Sequence, residues 1–368
     1  MKIRKPDYYD RFQCIAGACS DSCCIGWEID VDGERQEIYR HVTGEIGERL
    51  KQCIDWEEGH FILQGKEERC PFLNKDNLCD LIIDLGEDSL CDICREHPRF
   101  YEWYDGMIET GVGLCCEAAA RLVLESPDKA GFCMCEEPNE TSEGLESDDP
   151  EVIEVLMKAR ETAYAILQDR SHPIRKRLSI FLTYIGELQD ALDFEDLDEI
   201  EESAEYYRNA IWDEEESAFF DMEAYTTILD FCEKLEPIDE SWPTRLKSIR
   251  EQLRDVDTFM KAEQSMLDET GDRSYEYEHL AVYFVYRYFM KCRTDCDVYS
   301  RGCLAVFFVL LVRLLDTVKY METGKLSKED RVMHAKDCSK EIEYSEENLA
   351  TLANLFWKEG FEKISKCL

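Results

Sequence analysis

Cysteines are the residues of this chain best suited to do chemistry, because ten of its 19 stand at short spacings within the first 116 residues. Thiolates a few residues apart can converge on one metal ion or iron–sulfur cluster. They outnumber the four ligands of a single site, so the surplus predicts a second site or redox-active thiols beside the first. The predicted ligands are Cys14, Cys19, Cys23, Cys24, Cys70, Cys79, Cys91, Cys94, Cys115 and Cys116.

Two local patterns would bring some of these thiols together. A turn at residues 74–77, rich in Asn and Asp, is expected to fold Cys70 and Cys79 toward each other. Cys91 and Cys94 form a C-x2-C knuckle, whose spacing lets two sulfurs grip one ion from a tight loop. Both patterns indicate a metal-binding module rather than scattered core thiols.

The adjacent pair Cys23 and Cys24 differs from these patterns, because neighbouring residues do not easily aim both sulfurs at one ion. One of the two is therefore expected to ligate. Zinc and iron–sulfur clusters both accept four thiolates, and the spacings match no zinc ribbon, which would need two knuckles about 15–20 residues apart. The expected group is an iron–sulfur cluster, with [4Fe–4S] favoured, or zinc. His97 is interpreted as structural, and Cys133 with Cys135 as incidental.

A disulfide framework is the competing explanation for so many cysteines, but it is typical of small secreted domains. The N-terminus has basic residues and no apolar stretch of the kind that a signal peptide carries. The thiols are therefore predicted to be reduced and the protein cytoplasmic. A net charge of −39 and a pI near 4.5 would repel nucleic acid and anionic membranes. The apolar residues 302–312 are too few to span a bilayer, so no membrane insertion is expected and this stretch should be a core helix.

The predicted fold class is mainly α. Differences in composition divide the chain into three parts. Residues 1–135 should form a cysteine-rich domain of short helices and loops clamped on metal. Residues 136–150 are acidic and should form a linker. Residues 151–368 should form an α-helical bundle, because apolar residues recur there at three- and four-residue steps. Helices are predicted after the Asp149–Pro150 cap and at residues 173–192, 218–235, 244–268, 275–291 and 299–321, with further caps at Ser327 and Ser345.

Other catalytic signatures are absent from the sequence. It contains no P-loop, no H-E-x-x-H and no G-x-S-x-G. Gly111 and Gly113 precede Cys115 instead of opening a helix after a strand, which does not favour a dinucleotide- or methyl-donor-binding loop. The residues alone therefore indicate a reduced metal-binding module joined to a helical bundle.

Several motifs resemble the flagellin lysine-N-methylase family, which belongs with the broader CxxxCxxCC proteins that are taken to bind zinc or iron–sulfur clusters. The likeness continues through the aromatic residues 279–289 and the segment 339–349, and so covers nearly the whole chain. The first cysteine group has spacings one residue longer than the plain CxxxCxxCC form, and it lacks a radical-SAM CxxxCxxC loop. The motifs are Cys14-x4-Cys19-x3-Cys23-Cys24-x2-Trp27, Cys70-Pro-Phe-Leu, Leu78-Cys79, Cys94-Arg95-x-His97-Pro-Arg-Phe100 and Leu114-Cys115-Cys116.

The resemblance implies a methyltransferase that modifies lysine side chains of flagellin, with S-adenosylmethionine as the methyl donor. Polar methyl transfer needs a neutral lysine, because an ammonium has no lone pair, so a base or desolvation must lower the lysine pKa. Glu96, His97 and Tyr101 are candidates for that base by their position beside Cys94. The alternative function is a noncatalytic metal-binding or redox module that docks a partner protein.

Overall fold

The computed structural model describes residues 1–104, 106–136, 149–212 and 222–359, and over these residues the protein is mainly helical, as predicted. The predicted acidic linker falls largely on residues 137–148, which lie outside the described residues. The predicted domain boundaries therefore stay a prediction.

A four-stranded sheet lies in the N-terminal region, where the favoured prediction was short helices and loops. Its strands are β1 (Lys2–Pro6), β4 (Arg99–Tyr104), β5 (Met107–Val112) and β6 (Phe132–Glu136), in the order β4–β5–β1–β6. The strand β1 runs parallel to β5 and antiparallel to β6. The prediction missed this sheet because β1 finds its partners far along the chain, and strands this short carry little periodicity of their own.

Residues between Ile29 and Cys91 form a small apolar core of their own. The helices around it are α1 (Gly33–His41), α2 (Gly44–Cys53), α3 (Asp80–Leu85) and α4 (Asp92–Glu96), with a two-stranded ribbon of β2 (Ile54–Asp55) and β3 (His60–Phe61). We call this set the small core; its buried members are Ile29, Val31, Tyr39, Ile46, Leu50, Ile54, Phe61, Cys70, Phe72, Leu73, Leu81, Leu90 and Cys91.

A second and larger core joins the helical bundle to the sheet and to helix α5 (Glu117–Glu125). We call it the large core; its buried members from the N-terminal region are Tyr104, Leu114, Ala120, Val123 and Leu124. The helices of the bundle are α6 (Pro150–Leu167), α7 (Ile174–Asp193), α8 (Leu197–Asn209), α9 (Met222–Cys232), α10 (Trp242–Gln252), α11 (Val256–Thr270), α12 (Tyr275–Tyr288), α13 (Cys292–Asp295), α14 (Val298–Thr323), α15 (Lys328–Glu343) and α16 (Glu346–Glu359).

Helix α14 is the centre of the bundle, and the prediction of a buried core helix at residues 302–312 is confirmed. Among the described residues it alone is long and apolar enough to cross a membrane by length and composition. Almost all of its most apolar stretch is buried inside the protein, as is typical of the core helix of a bundle.

Local signals in the sequence predicted several helix ends. The Asp149 side chain accepts the Glu151 N–H at the start of α6. Ser327 forms the predicted capping box with Asp330 at the start of α15, and the Ser345 hydroxyl accepts the Asn348 N–H before α16. These caps satisfy backbone N–H groups that have no partner within the helix.

The single helix predicted for residues 244–268 was wrong, because two helices, α10 and α11, occupy this range. The Asp255 side chain accepts the N–H of Thr258 and so starts a new helix. The polar helix α8 was not predicted. The start of the helix predicted for residues 218–235 lies outside the described residues, which resume with α9 at Met222.

A buried ion pair fastens the bundle to the sheet. Arg160 of α6 and Glu109 of β5 are both almost fully buried, and the guanidinium contacts both carboxylate oxygens. Two parallel hydrogen bonds of this kind fix orientation as well as distance. The N-terminal region and the bundle are thus joined by a defined interface.

Candidate functional site

The ten predicted ligand cysteines fall into two groups in the structure. The inner group belongs to the small core or packs against it and consists of Cys24, Cys70, Cys79, Cys91 and Cys94. The outer group lies outside the small core, and its members interact with one another and with the bundle; it consists of Cys14, Cys19, Cys23, Cys115 and Cys116. The Cys23 thiol also hydrogen-bonds to the Cys24 thiol, so the two groups are in contact. Cys133 is exposed on β6 and belongs to neither group.

A tight loop brings Cys70 and Cys79 together, as the sequence predicted. Leu73 pairs with Cys79 in an isolated bridge, and the Asn77 N–H donates to the Asn74 carbonyl across the turn. The Cys70 N–H donates to the carbonyl of Cys24 at 2.8 Å, which draws the Cys24 segment onto the same loop. Burial raises the pKa of the Cys70 thiol to about 12, and the nearby Cys24 and Cys79 thiols add to this effect.

The C-x2-C knuckle supplies the other two members of the inner group. Cys91 precedes the first residue of α4, and Cys94 lies within that helix. The two thiols hydrogen-bond to each other; this bond lowers the pKa of Cys91 and, together with burial, raises that of Cys94. The Cys94 thiol also interacts with those of Cys24 and Cys70. A set of facing thiols suits a tetrathiolate zinc site or an iron–sulfur cluster in the chemistry of its donors.

The outer group is more accessible. Cys14 and Cys23 are exposed, and the Cys14 sulfur accepts the Ala16 N–H at 3.3 Å. Cys116 precedes α5, where the N–H groups of Ala118 and Ala119 donate to its thiol. Burial nevertheless raises the pKa of Cys116, and the neighbouring Cys19 and Cys14 thiols act in the same direction. Donors pointing at the sulfur favour its thiolate form, which is the form that binds metal.

Among the described residues, no three Cys, His, Asp or Glu side chains already stand at metal-binding distances from a common point. The structure therefore shows grouped thiols rather than finished coordination shells. The assignment of ligands stays a prediction, and the two groups meet at the hydrogen bond between the Cys23 and Cys24 thiols.

The loop that carries the outer group is held against the bundle by charged and polar contacts. The hydroxyl and N–H of Ser20 donate to the Glu117 carboxylate at 2.6 and 2.9 Å. Lys336 and Lys340 of α15 both donate to Asp21, at 2.9 and 3.1 Å. Burial opposes the charge of Asp21, but the hydrogen bond from Lys336 prevails and lowers the pKa of this carboxyl to about 2. The outer group thus lies at a seam between the N-terminal region and α15.

A buried polar network faces Cys115 across this seam. The Glu343 side chain is 1% exposed and pairs with Arg287 at 2.8 Å. The hydroxyls of Tyr283 and Tyr288 donate to the same carboxylate at 3.1 and 2.8 Å. Although burial opposes the charge of Arg287, the Glu343 carboxylate raises the pKa of that guanidinium. Arg287 and Glu343 therefore both stay charged in a buried position, where an unpaired charge would be costly.

Tyr344 connects this network to the outer group. Its hydroxyl hydrogen-bonds to the Cys115 sulfur, and the Cys23 and Cys116 thiols lie close enough to influence it. Its neighbour Glu343 belongs to the buried network described above. Burial raises the pKa of Cys115 to about 12, and the Glu343 charge adds to this rise. The hydroxyl of Tyr344 is therefore a donor aimed at a candidate ligand sulfur.

Three rings cluster beside the outer group. Trp27 lies 5.7 Å from His97 and 6.3 Å from Tyr344, and His97 lies 6.4 Å from Tyr344, measured between ring centroids. The His97 Nε2 atom is buried and has no hydrogen-bond partner among the described residues. Burial lowers the pKa of His97 to about 4, so the imidazole is neutral near pH 7.

Of the three candidate bases, Glu96, His97 and Tyr101, only His97 belongs to the ring cluster beside the outer group. The Tyr101 hydroxyl donates to Glu96 at 2.6 Å, and Arg95 pairs with the same carboxylate, so Glu96 and Tyr101 satisfy each other. His97 alone presents a free ring nitrogen. Sequence reasoning missed Arg287, Glu343 and Tyr344 as site residues, although the segments 279–289 and 339–349 that carry them were the ones compared with the methylase family.

Comparison with known proteins shows which protein family this chain resembles. A family model of the FliB lysine N-methylase C-terminal domain matches residues 160–368, which is more than half of the chain. This stretch contains Arg287, Glu343 and Tyr344, and the cysteine groups precede it.

Curated relatives match shorter stretches. The flagellar biosynthetic protein FliU of Salmonella muenchen is 28% identical over 137 residues, which are 35% of this chain and 80% of that protein. Lysine-N-methylases of Salmonella typhimurium and Salmonella choleraesuis are 27% and 26% identical over 141 residues. Each of these matches covers 35% of this chain and 34% of the methylase, so the chain spans about a third of the methylases' length. No solved structure matches the chain.

Proposed function

The chain belongs to the FliB lysine N-methylase family, because the model of that family's C-terminal domain matches more than half of it, and from this premise we propose that it is a protein lysine methyltransferase. The observation that carries the proposal is the position of the matched bundle, whose residues Arg287, Glu343 and Tyr344 adjoin the outer cysteine group. The seam between the two is the proposed active site.

Flagellin is the proposed substrate, and S-adenosylmethionine is the proposed methyl donor. The family resemblance of the motifs supports both, and one relative is named a flagellar biosynthetic protein. The net charge of −39 also favours encounter with a cationic lysine side chain, because a field of opposite sign raises the rate of association.

The ring cluster of Trp27, His97 and Tyr344 is the proposed place where the substrate lysine is made reactive. Packing against these rings would remove water from the lysine side chain, and this desolvation favours the neutral amine. His97 Nε2 is the proposed proton acceptor, since Glu96 and Tyr101 are occupied with each other. Burial lowers the pKa of this imidazole to about 4, so His97 would accept the proton only transiently and pass it on to solvent.

The outer group is the proposed holder of an iron–sulfur cluster or zinc ion at this site. Cys14, Cys19, Cys23 and Cys116 are its soft donors, and two of them are exposed, so a group bound there would face the solvent side of the seam. Such a group, when bound, would supply either one-electron chemistry or a Lewis-acid centre. The Tyr344 hydroxyl would orient Cys115 beside it.

The test is methyl transfer by the anaerobically purified protein, incubated with S-adenosylmethionine and purified flagellin. Flagellin should gain mass in steps of one methyl group on lysine residues. Cys116→Ser should abolish the transfer, whereas the matched change Cys133→Ser, at an exposed thiol outside both groups, should leave it intact.

Unmodified flagellin, in the presence of folded and metal-loaded protein, would contradict the proposal. That result would instead favour the alternative, a noncatalytic metal-binding or redox module that docks a partner protein.

A further inference from the structure

We propose that the open edge of strand β4 docks an extended, lysine-bearing segment of the substrate protein as an added strand of the sheet. This inference rests on the proposed methyltransferase function and names the form in which the substrate reaches the seam. Strand addition of this kind binds through main-chain hydrogen bonds, with contacts of alternate side chains beside them. The substrate is therefore recognised by the extended conformation of the chain next to its target lysine.

The first argument is the direction of the β4 backbone. The Gly113 N–H donates to the Pro98 carbonyl at 2.8 Å, and these two residues continue the β4–β5 register by one pair. Pairs that exchange hydrogen bonds alternate with pairs that do not along an antiparallel ladder. The N–H groups of Tyr101 and Trp103 therefore point away from β5. Within the part of the chain that the structure describes, no strand pairs with that side of β4, which is one edge of the sheet.

The second argument is the side chains along this edge. Natural edge strands are commonly protected by charged side chains. The Tyr101 and Trp103 side chains are instead aromatic and exposed. The Arg99 guanidinium lies over the Phe12 ring, 5.2 Å from its centroid. Arg293 donates to the Trp103 carbonyl at 3.3 Å, so the far end of the edge is partly covered. The aromatic side chains would pack against those of an added strand.

The third argument is the place to which the edge leads. Strand β4 begins at Arg99, two residues after His97 of the ring cluster. The Phe100 ring centroid lies 4.6 Å from the guanidinium carbon of Arg287, which belongs to the buried network at the seam. An extended chain advances about 3.3 Å per residue. A segment paired with β4 would therefore reach the ring cluster within a few residues and place its lysine there.

The test is hydrogen exchange of the full-length wild-type protein with a lysine peptide, measured by mass spectrometry. The probe is a short synthetic peptide with one central lysine between threonines and valines, which favour extended structure. An added strand protects the amides with which it pairs. The peptide should slow exchange in residues 99–103 and leave residues 132–136, on the opposite edge β6, unchanged. Protection of β6 alone, or of neither edge, would overturn the proposal.

Matched variants separate the backbone from the side chain. Tyr101→Pro removes the N–H that points out from the edge and spares the ladder to β5, in which that group takes no part. Tyr101→Thr removes the same ring and hydroxyl but keeps the N–H. Met134→Pro makes the equivalent change on β6. There the Asp7 N–H donates to the Gly131 carbonyl, and the alternation turns the Met134 N–H away from β1.

Peptide titrations followed by fluorescence anisotropy compare the variants. Tyr101→Pro should bind the peptide about tenfold more weakly than Tyr101→Thr, because a main-chain hydrogen bond is lost and the proline ring hinders the approach of a strand. Met134→Pro should bind it as the wild type does. Equal affinity of Tyr101→Pro and Tyr101→Thr would overturn the proposal.

Two further outcomes separate this inference from the proposed function. If Tyr101→Pro does not fold, hydrogen exchange of the wild type still decides. A peptide that protects β4 and is never methylated, with flagellin unmodified as well, would contradict the proposed function alone. Methylation of a peptide that leaves the exchange of β4 unchanged would overturn the docking proposal alone.

Discussion

The stability of the folded protein depends on a few buried charged residues. Asp316 of α14 is fully buried and accepts hydrogen bonds from Arg331 at 2.6 Å and Tyr277 at 2.7 Å, with His334 Nδ1 also at 2.6 Å. Burial opposes its charge, but Arg331 prevails and lowers the pKa of this carboxyl. Breaking a buried pair leaves the partner charge uncompensated.

Asp316→Asn is expected to lower the free energy of unfolding by about 3 kcal/mol at pH 7, measured by urea denaturation. Because the folded-state pKa of Asp316 is lowered, the stabilisation is present above the unfolded-state pKa near 4 and is lost as the pH falls through the folded value. The difference between variant and wild type should therefore shrink below about pH 4. As a control, Asp190→Asn, at an exposed position, should have little effect on stability. An Asp316→Asn protein as stable as the wild type would show that the buried network does not need this charge.

Tyr344→Phe tests the contact between the bundle and the outer group. It removes the hydroxyl that hydrogen-bonds to the Cys115 sulfur and leaves the ring. If an iron–sulfur cluster is bound there, losing a donor to a ligand sulfur should shift its reduction potential to a more negative value. A redox titration followed by electron paramagnetic resonance measures the shift. Tyr320→Phe, whose hydroxyl contacts Glu269 at the surface, is the control and should leave the potential unchanged; an equal potential in Tyr344→Phe would remove this tyrosine from the site.

At the scale of elements, the packing of α14 against α7 depends on one glycine. A Cβ atom at Gly302 would stand 2.6 Å from the Ile185 side chain, which is far closer than atoms in contact can approach. A Cβ atom at Gly186 of α7 would meet nothing within 4 Å. The two glycines thus share a helical setting and differ in the space beside them.

Gly302→Ala is expected to destabilise the protein by about 1–3 kcal/mol through overpacking, although alanine favours a helix. Gly186→Ala should stabilise it by about 0.5–1 kcal/mol, because the higher helix propensity meets no clash. Thermal denaturation of both variants gives the comparison. Equal behaviour of the two would show that α7 and α14 can separate without cost.

Elements with local signals could be predicted from the sequence, and elements that depend on distant partners could not. The caps at Asp149, Ser327 and Ser345 were predicted because each is set by a few neighbouring residues. The sheet was missed because β1 pairs with β5 and β6. The break before α11 was missed because polar residues on either side continue the helical pattern through Asp255.

The site shows the same division between near and distant contacts. The turn that brings Cys70 and Cys79 together was predicted from the residues between them. The packing of Cys24 against the small core was not, since it depends on its contact with Cys70. The approach of Tyr344 to Cys115 could not be predicted, because these residues belong to the two ends of the chain.

In the whole molecule, the large core and the small core differ in size. The N-terminal region is joined to the bundle by the Arg160–Glu109 pair and by the contacts of Asp21 with α15. The large core contains α14 and has no candidate ligand of the inner group among its members. The small core contains two of those ligands. Metal should therefore matter far more to the small core.

If the inner group binds metal, as its cysteine spacings predict, removal of that metal by an anaerobic chelator should loosen the small core selectively. Backbone amides in α1 and α2 should lose protection from hydrogen exchange, while those in α14 keep it. Mass-spectrometric hydrogen exchange with and without chelator makes the measurement. Uniform loss of protection across both cores, or none in either, would contradict this division of stability.

Lysine methylation by this chain can be tested by the intact mass of flagellin co-expressed with it under low oxygen. Added methyl masses that map to lysine residues are expected, and they should be absent when flagellin is co-expressed with the Cys116→Ser variant or with an empty vector. Flagellin of unchanged mass, recovered beside folded and metal-loaded protein, would contradict the claim.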